Sequence, residues 1–208
     1  MNKGFYFYAL FLFMVSFSPA YAKFFSPEEE YAQMIQQAQS MPADYDFEKL
    51  RENYSRLESY RPYSISPSHN FSELFKRQDE GDKSAIKDID AYVLKNFALP
   101  EAHSRAMIAY EKEGNMQKAA FHEWATKGLI KALKYSGDGK SAQTAYKVLI
   151  VSEEYLLARW EMDRKTITQT LKNERGRMYD VLSGKNIKTG ESMSIWFDVT
   201  QIFSAKLD

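Results

Sequence analysis

Two histidines and a pair of glutamates are the residues of this 208-residue chain best suited to chemistry. His103 and His122 flank the dipeptide Gly114-Asn115, and Glu153-Glu154 lie in the apolar stretch Ala142 to Trp160. Counted back from that turn, the two imidazoles come level to within about 3–4.5 Å on facing helices. His103 shares a helix face with Ala106, Met107 and Tyr110, and His122 shares one with Ala119, Ala125 and Leu129, so both point inward. Glu153 falls within the stripe of Leu149, Leu156 and Leu157, where a carboxylate leaving water needs a partner. Two imidazoles and a carboxylate meeting between helices would bind zinc or serve as an acid–base pair. The alternative is a polar knot that only satisfies buried groups. No His-x-x-x-His or His-Glu-x-x-His spacing decides between them. Gly-x-Ser-x-Gly and cysteine are both absent, so no nucleophile signature supports catalysis. The polar knot is the preferred reading and no cofactor is expected; His103, His122 and Glu153 stand only as candidates for a catalytic or metal site, for which zinc would be the metal.

Two loops carry further signals. In Tyr60-Arg61-Pro62-Tyr63 a proline stiffens a patch of two phenol rings, and Arg61 could stack on either. Tyr60, Arg61 and Tyr63 are thus a candidate binding patch, unless both rings tuck against the body and pin the loop. Gly137-Asp-Gly-Lys-Ser141 has the look of a phosphate cradle. A P-loop would place a glycine where Lys134 stands, and would follow a strand. The run reads instead as punctuation, with Gly137 ending one helix in the left-handed conformation and Ser141 or Asp138 capping the next.

The elements that must position these groups follow from periodicity. Ser26-Pro27 followed by three glutamates opens a helix through Gln39, and Asp46 caps a second over Phe47 to Leu57. Helices are predicted over 71–80, 84–97, 101–113 and 117–135. Their turns at Gly81-Asp82 and Gly114-Asn115 lie 33 residues apart, near the tetratricopeptide period of about 34. Tyr110 and Ala119 fit that pattern, whereas Arg77 and Ile86 do not. Ala142 to Trp160 is apolar on most sides, which predicts a central helix serving as the spine. Lys165 to Glu174 is read as one more helix. Residues 178–183 and 193–199 are rich in β-forming types and flank Thr189-Gly190, which predicts an antiparallel hairpin. The expected fold is mainly α: stacked tetratricopeptide-like helical hairpins with a small C-terminal antiparallel β hairpin.

One segment resembles a known family. Tyr135-Ser-Gly-Asp-Gly-Lys-Ser141, Thr144-Ala-Tyr146 and Val151-Ser-Glu-Glu-Tyr155 are similar to a bacterial family described as domain of unknown function 4919. The similarity extends to Gln169 with Leu171, to Tyr179-Asp-Val-Leu182 and to Ile195-Trp-Phe-Asp198, and more loosely to Tyr60–Tyr63. The resemblance implies a shared fold and no particular activity.

The first 22 residues have the build of a secretory leader: Lys3, an apolar run from Phe5 to Phe17, and Ala20-Tyr-Ala22 as a small-x-small cleavage site. The run is shorter than the roughly 20 residues that span a bilayer. A periplasmic or secreted protein is expected, with residues 23–208 forming one helical domain that ends in the hairpin at about 178–199. Exported proteins are free to use disulfides, but this chain has no cysteine. Its 28 basic residues balance its 28 acidic ones, and no basic stripe suggests nucleic acid. No later stretch is apolar enough to span a membrane. The expected role is a non-enzymatic interaction or scaffold module of the cell envelope, partnered by another envelope protein. The competing expectation is a small exported hydrolase, metal-dependent or acid–base, using His103, His122 and Glu153.

Overall fold

Capping residues set the first helices. A computed structural model describes residues 25–63 and 67–205, with the backbone alone for 67–71. The expected leader lies outside the described residues. Ser26 closes a capping box with Glu29 and opens α1 (Pro27–Ala38). Asp46 accepts the Lys49 N–H and opens α2 (Phe47–Ser55). Four helices follow: α3 (Pro67–Asp79), α4 (Ala85–Lys95), α5 (Pro100–Lys112) and α6 (Met116–Tyr135). α5 and α6 form the expected hairpin across Gly114-Asn115, with Asn115 capping α6 through the Lys118 N–H. α3 packs on α4 and α5, while α2 lies along α6. Leu50, Ile89, Val93, Phe97, Ala106 and Leu129 fill the core of this helical part.

The second half departs from expectation. The Ala142–Trp160 spine is not one helix. It breaks into a 3-10 turn (Ala142–Thr144), a two-residue strand β1 (Tyr146–Lys147) and a short helix α7 (Val151–Ala158). Its apolar character on all sides has another cause. Leu149 and Ile150 enter the helical core, whereas Val148, Leu157 and Ala158 enter a second core on the sheet. A segment that crosses between two cores buries residues on opposite sides in turn, which imitates the apolar circumference of a central helix. β-branched Val148, Ile150 and Val151 add a local bias against a long helix.

The expected helix over Lys165–Glu174 is a 3-10 turn followed by strand β2 (Thr168–Glu174). The β-branched run Thr166-Ile-Thr168 and Thr170 suits that strand. Arg175 and Gly176, at φ 53° and 80°, form the two-residue turn into β3 (Arg177–Lys185). The expected hairpin exists as β3 with β4 (Ser192–Asp198), but it is the middle of a larger sheet. The strand order is β1-β4-β3-β2, antiparallel except for β1, which pairs parallel to β4. A tetratricopeptide-like stack with a terminal hairpin is therefore not the fold. The fold is a helical layer joined to a four-stranded mixed sheet, with α8 (Thr200–Ser204) closing on β3. Leu133 at the end of α6 joins Leu182, Ile195, Phe197 and Ile202 in the sheet core. The Gly137–Ser141 loop clamps this core, since the Gly139 carbonyl accepts the Trp196 N–H at 2.8 Å. Gly137 is not left-handed as expected. It is glycine because a Cβ there would stand 2.3 Å from the Thr144 carbonyl oxygen.

Candidate functional site: an arginine-lined cleft over a buried acid pair

The two imidazoles meet. His103 donates from Nε2 to the Phe97 carbonyl at 2.9 Å, which leaves its Nδ1 bare to accept from His122 Nδ1–H at 2.9 Å. Both rings are neutral. Burial, and then the neighbouring ring, depress His103 to about 3, and burial takes His122 to about 4. His122 lies parallel to the Tyr110 ring, 5.5 Å away.

Glu153 is not with them. It accepts from both terminal guanidinium nitrogens of Arg51 on α2, and its Oε2 also accepts the Leu149 N–H at 2.7 Å. Arg51 reaches on to the Lys147 carbonyl at 3.2 Å. Among the described residues no group of three or more His, Cys, Asp and Glu is placed to hold a metal ion. In the Tyr60 loop, Tyr60 is buried edge-on to Tyr54 and donates to the Leu149 carbonyl at 2.5 Å. Arg61 donates to the Glu58 carbonyl at 2.7 Å. Tyr63 alone of the three stays open, 49% exposed, on the wall of a cleft.

That cleft, about 720 Å³, runs between α5, the end of α6, α7 and the Pro62-Tyr63 loop, within the range typical of small-molecule sites. Arg105, Arg159 and Arg164 line it, with Glu101 as the carboxylate on its wall. Arg105 pairs with Glu101 at 3.6 Å. Among the described residues neither Arg159 nor Arg164 has a carboxylate partner. Tyr155, Arg159 and Arg164 also line a smaller annex of about 220 Å³, floored by Ile167 and Gln169.

α7 sorts its polar residues by angle. Successive positions turn by about 100°. Glu153 therefore faces Arg51, Glu154 faces the sheet, and Tyr155 faces the cleft with Arg159, one turn on. Gln169 on β2 and Asp180 on β3 are diagonal neighbours on the sheet face below, since Gln169 pairs with Leu182 and Leu171 with Asp180.

A directed chain of hydrogen bonds results. Tyr155 donates to Gln169 Oε1 at 2.9 Å, and Gln169 Nε2 donates to Asp180 Oδ2 at 2.6 Å. Beside Asp180 lies Glu154, fully buried, and no N–H or other hydroxyl among the described residues reaches either of its oxygens. An ionised Glu154 would be a bare charge next to another. Protonated, it donates to Asp180. Burial, followed by the Asp180 charge and the hydrogen bond to it, pushes Glu154 up to about 9. Burial raises Asp180 as well, partly offset by the hydrogen bonds from Gln169 and Glu154. Both shifts favour a proton held by the pair.

Nothing in the spacing of Arg51, Arg105, Arg159 or Arg164 singles them out. Tyr155, Gln169 and Asp180 entered only through the family resemblance, and they turn out to be consecutive members of one chain. A helical layer joined to a mixed sheet makes this an α+β fold, with an arginine-lined cleft above Gln169, Asp180 and Glu154. The chain belongs to the family described as a domain of unknown function, DUF4919, which it matches over residues 28–207. No curated protein and no solved structure matches it.

Proposed function

We propose that this chain is a non-enzymatic binding module of the bacterial envelope, exported by its first 22 residues, and that its cleft takes a small anionic ligand. One observation carries the reading: two arginines with no carboxylate partner among the described residues, and a third held loosely, line a cleft with Glu101 on its wall. Guanidinium groups match carboxylate and phosphate oxygens in fixed geometry. The first turns of α5 and α7 also line the cleft, and their dipoles add positive potential. The rings of Tyr63 and Tyr155 offer flat apolar contact to the body of such a ligand.

Binding is favoured over hydrolysis at His103, His122 and Glu153 because two of the three are spent inside the protein. His103 uses both ring nitrogens, and Glu153 is held by Arg51 and Leu149. The test is a thermal-shift screen of aryl carboxylates and aryl phosphates against the corresponding neutral amides. Only the anions should stabilise the protein, by about 2.7 kcal/mol at a hundred times Kd. The double variant Arg159→Ala/Arg164→Ala should bind them at least about tenfold more weakly, or about 1.4 kcal/mol. Equal stabilisation by the amides, or indifference to the arginine substitutions, would refute the reading.

A further inference from the structure

The chain of hydrogen bonds beneath the cleft has a direction, and the direction sets what the cleft can recognise. A carboxylate at Asp180 accepts hydrogen bonds, and the buried Glu154, whose oxygens no N–H or hydroxyl among the described residues reaches, offers Asp180 nothing that would make it a donor. Asp180 is then an acceptor on every side. That fixes the Gln169 amide with its NH₂ toward Asp180 at 2.6 Å and its carbonyl toward Tyr155. The Tyr155 hydroxyl has one proton, and the Gln169 carbonyl takes it at 2.9 Å. What Tyr155 turns to the cleft is therefore an oxygen with lone pairs and no hydrogen. The ring is 40% exposed and lines both the main cleft and its annex.

We infer that Tyr155 is a specificity-determining acceptor, so that the ligand of the cleft is an acid carrying a hydroxyl or amine donor close to its anionic group. Resting on the anion-binding reading above, this narrows the ligand class. Arg159 sits one helical turn from Tyr155, about 5–6 Å away along α7. An anion on Arg159 thus brings a neighbouring O–H or N–H onto the Tyr155 oxygen. Hydroxy acids, amino acids and sugar acids share this pattern. Simple fatty or aryl acids lack the donor and leave the Tyr155 lone pairs dry. Asp180 does not touch the cleft and acts as a positioning residue through Gln169.

Three probes of equal charge and similar size separate the possibilities: 3-phenyllactate, its O-methyl ether and 3-phenylpropanoate, titrated calorimetrically into the full chain. The hydroxy acid should bind about fivefold more tightly than either of the others, as one added hydrogen bond gives. Tyr155→Phe should abolish that gap, so that all three probes bind alike within about twofold. Asp180→Asn supplies the sharper readout. Its amide must present its carbonyl to Glu154 and its NH₂ to Gln169, which flips the Gln169 amide and frees the Tyr155 proton. The variant should then prefer the methyl ether to 3-phenylpropanoate, an exchange of preference that mere loosening of the site would not produce. If the ether matches the hydroxy acid in the unmodified protein, or all three bind alike, the inference is wrong while the anion-binding cleft stands. If none binds, and the arginine double variant is no different, both fall together.

Discussion

Arg51 and Glu153 show how much a single pair can organise. Their side chains are 7% and 2% exposed, and 102 residues of chain separate them. Arg51 also holds the Lys147 carbonyl, and Glu153 holds the Leu149 N–H. Each charge is thus surrounded by partners that lose their own hydrogen bonds if it goes. Replacing one member leaves the other buried and uncompensated, at a cost of about 3–5 kcal/mol. Arg51→Met should show that loss in urea denaturation, and adding Glu153→Leu should restore a large part of it. A double variant no more stable than the single one would show that the pair does more than cancel itself. At this scale the sequence was partly legible. The histidines flank one turn, so their meeting could be counted out. The demand of Glu153 for a partner was also visible, but its identity was not, because nothing in local spacing links residue 51 to residue 153. The donor for Asp180 was hidden for the same reason.

Helices with capping residues and a steady apolar stripe were the readable elements. Ser26 and Asp46 mark starts that the structure reproduces, and the Gly114-Asn115 turn falls where the structure begins α6. The failures lie where burial does not follow a single face. Residues 142–160 serve two cores in turn, so their hydrophobicity has no period to betray strand β1 or the shortness of α7. β2 is an edge strand exposed at nearly every position, so it lacks the alternation that identifies half-buried strands. Two glycines test how the sheet is held. Gly176 sits at φ 80° with open space where a Cβ would go, so Gly176→Ala should cost only the backbone term of about 1–2 kcal/mol. Gly139 has φ 69° and a Cβ there would stand 2.6 Å from the Tyr146 ring and 2.9 Å from Ile195. Gly139→Ala should therefore be clearly the more damaging of the two by thermal or urea melting. Equal losses would show that the loop yields without disturbing β1 and β4.

For the molecule as a whole, two buried clusters pull in opposite directions with pH. His103 and His122 lie below the ordinary imidazole value of 6.5 in the folded protein. The stability they contribute is present above 6.5 and lost as pH falls, because the unfolded chain takes up their protons first. Glu154 is raised from 4.5 to about 9. Its contribution is complete below 4.5 and is lost as pH climbs toward 9, by at most about 1.4 kcal/mol per pH unit. Between about 4.5 and 6.5 the two histidines outweigh the single carboxyl, and above 6.5 only the carboxyl acts. Urea midpoints measured from pH 5 to 8.5 should therefore peak near 6.5. Glu154→Gln should flatten the alkaline side and leave the acid side in place. A midpoint that keeps rising to pH 8.5 in the unmodified protein would show that the acid pair carries no proton.

The two-residue strand β1 has an outsized consequence. Tyr146 and Lys147 align with Phe197 and Asp198, and the Lys147 carbonyl also receives Arg51. Segments around residues 51, 147 and 198 thus meet at one point. No half of the chain can settle first and wait for the other: until residue 198 has arrived, the guanidinium of residue 51 has no finished socket. The polypeptide should therefore collapse late and all at once, melting in a single transition at every probe. A nascent chain stopped before β4 should remain open to proteases along its whole length, helices included.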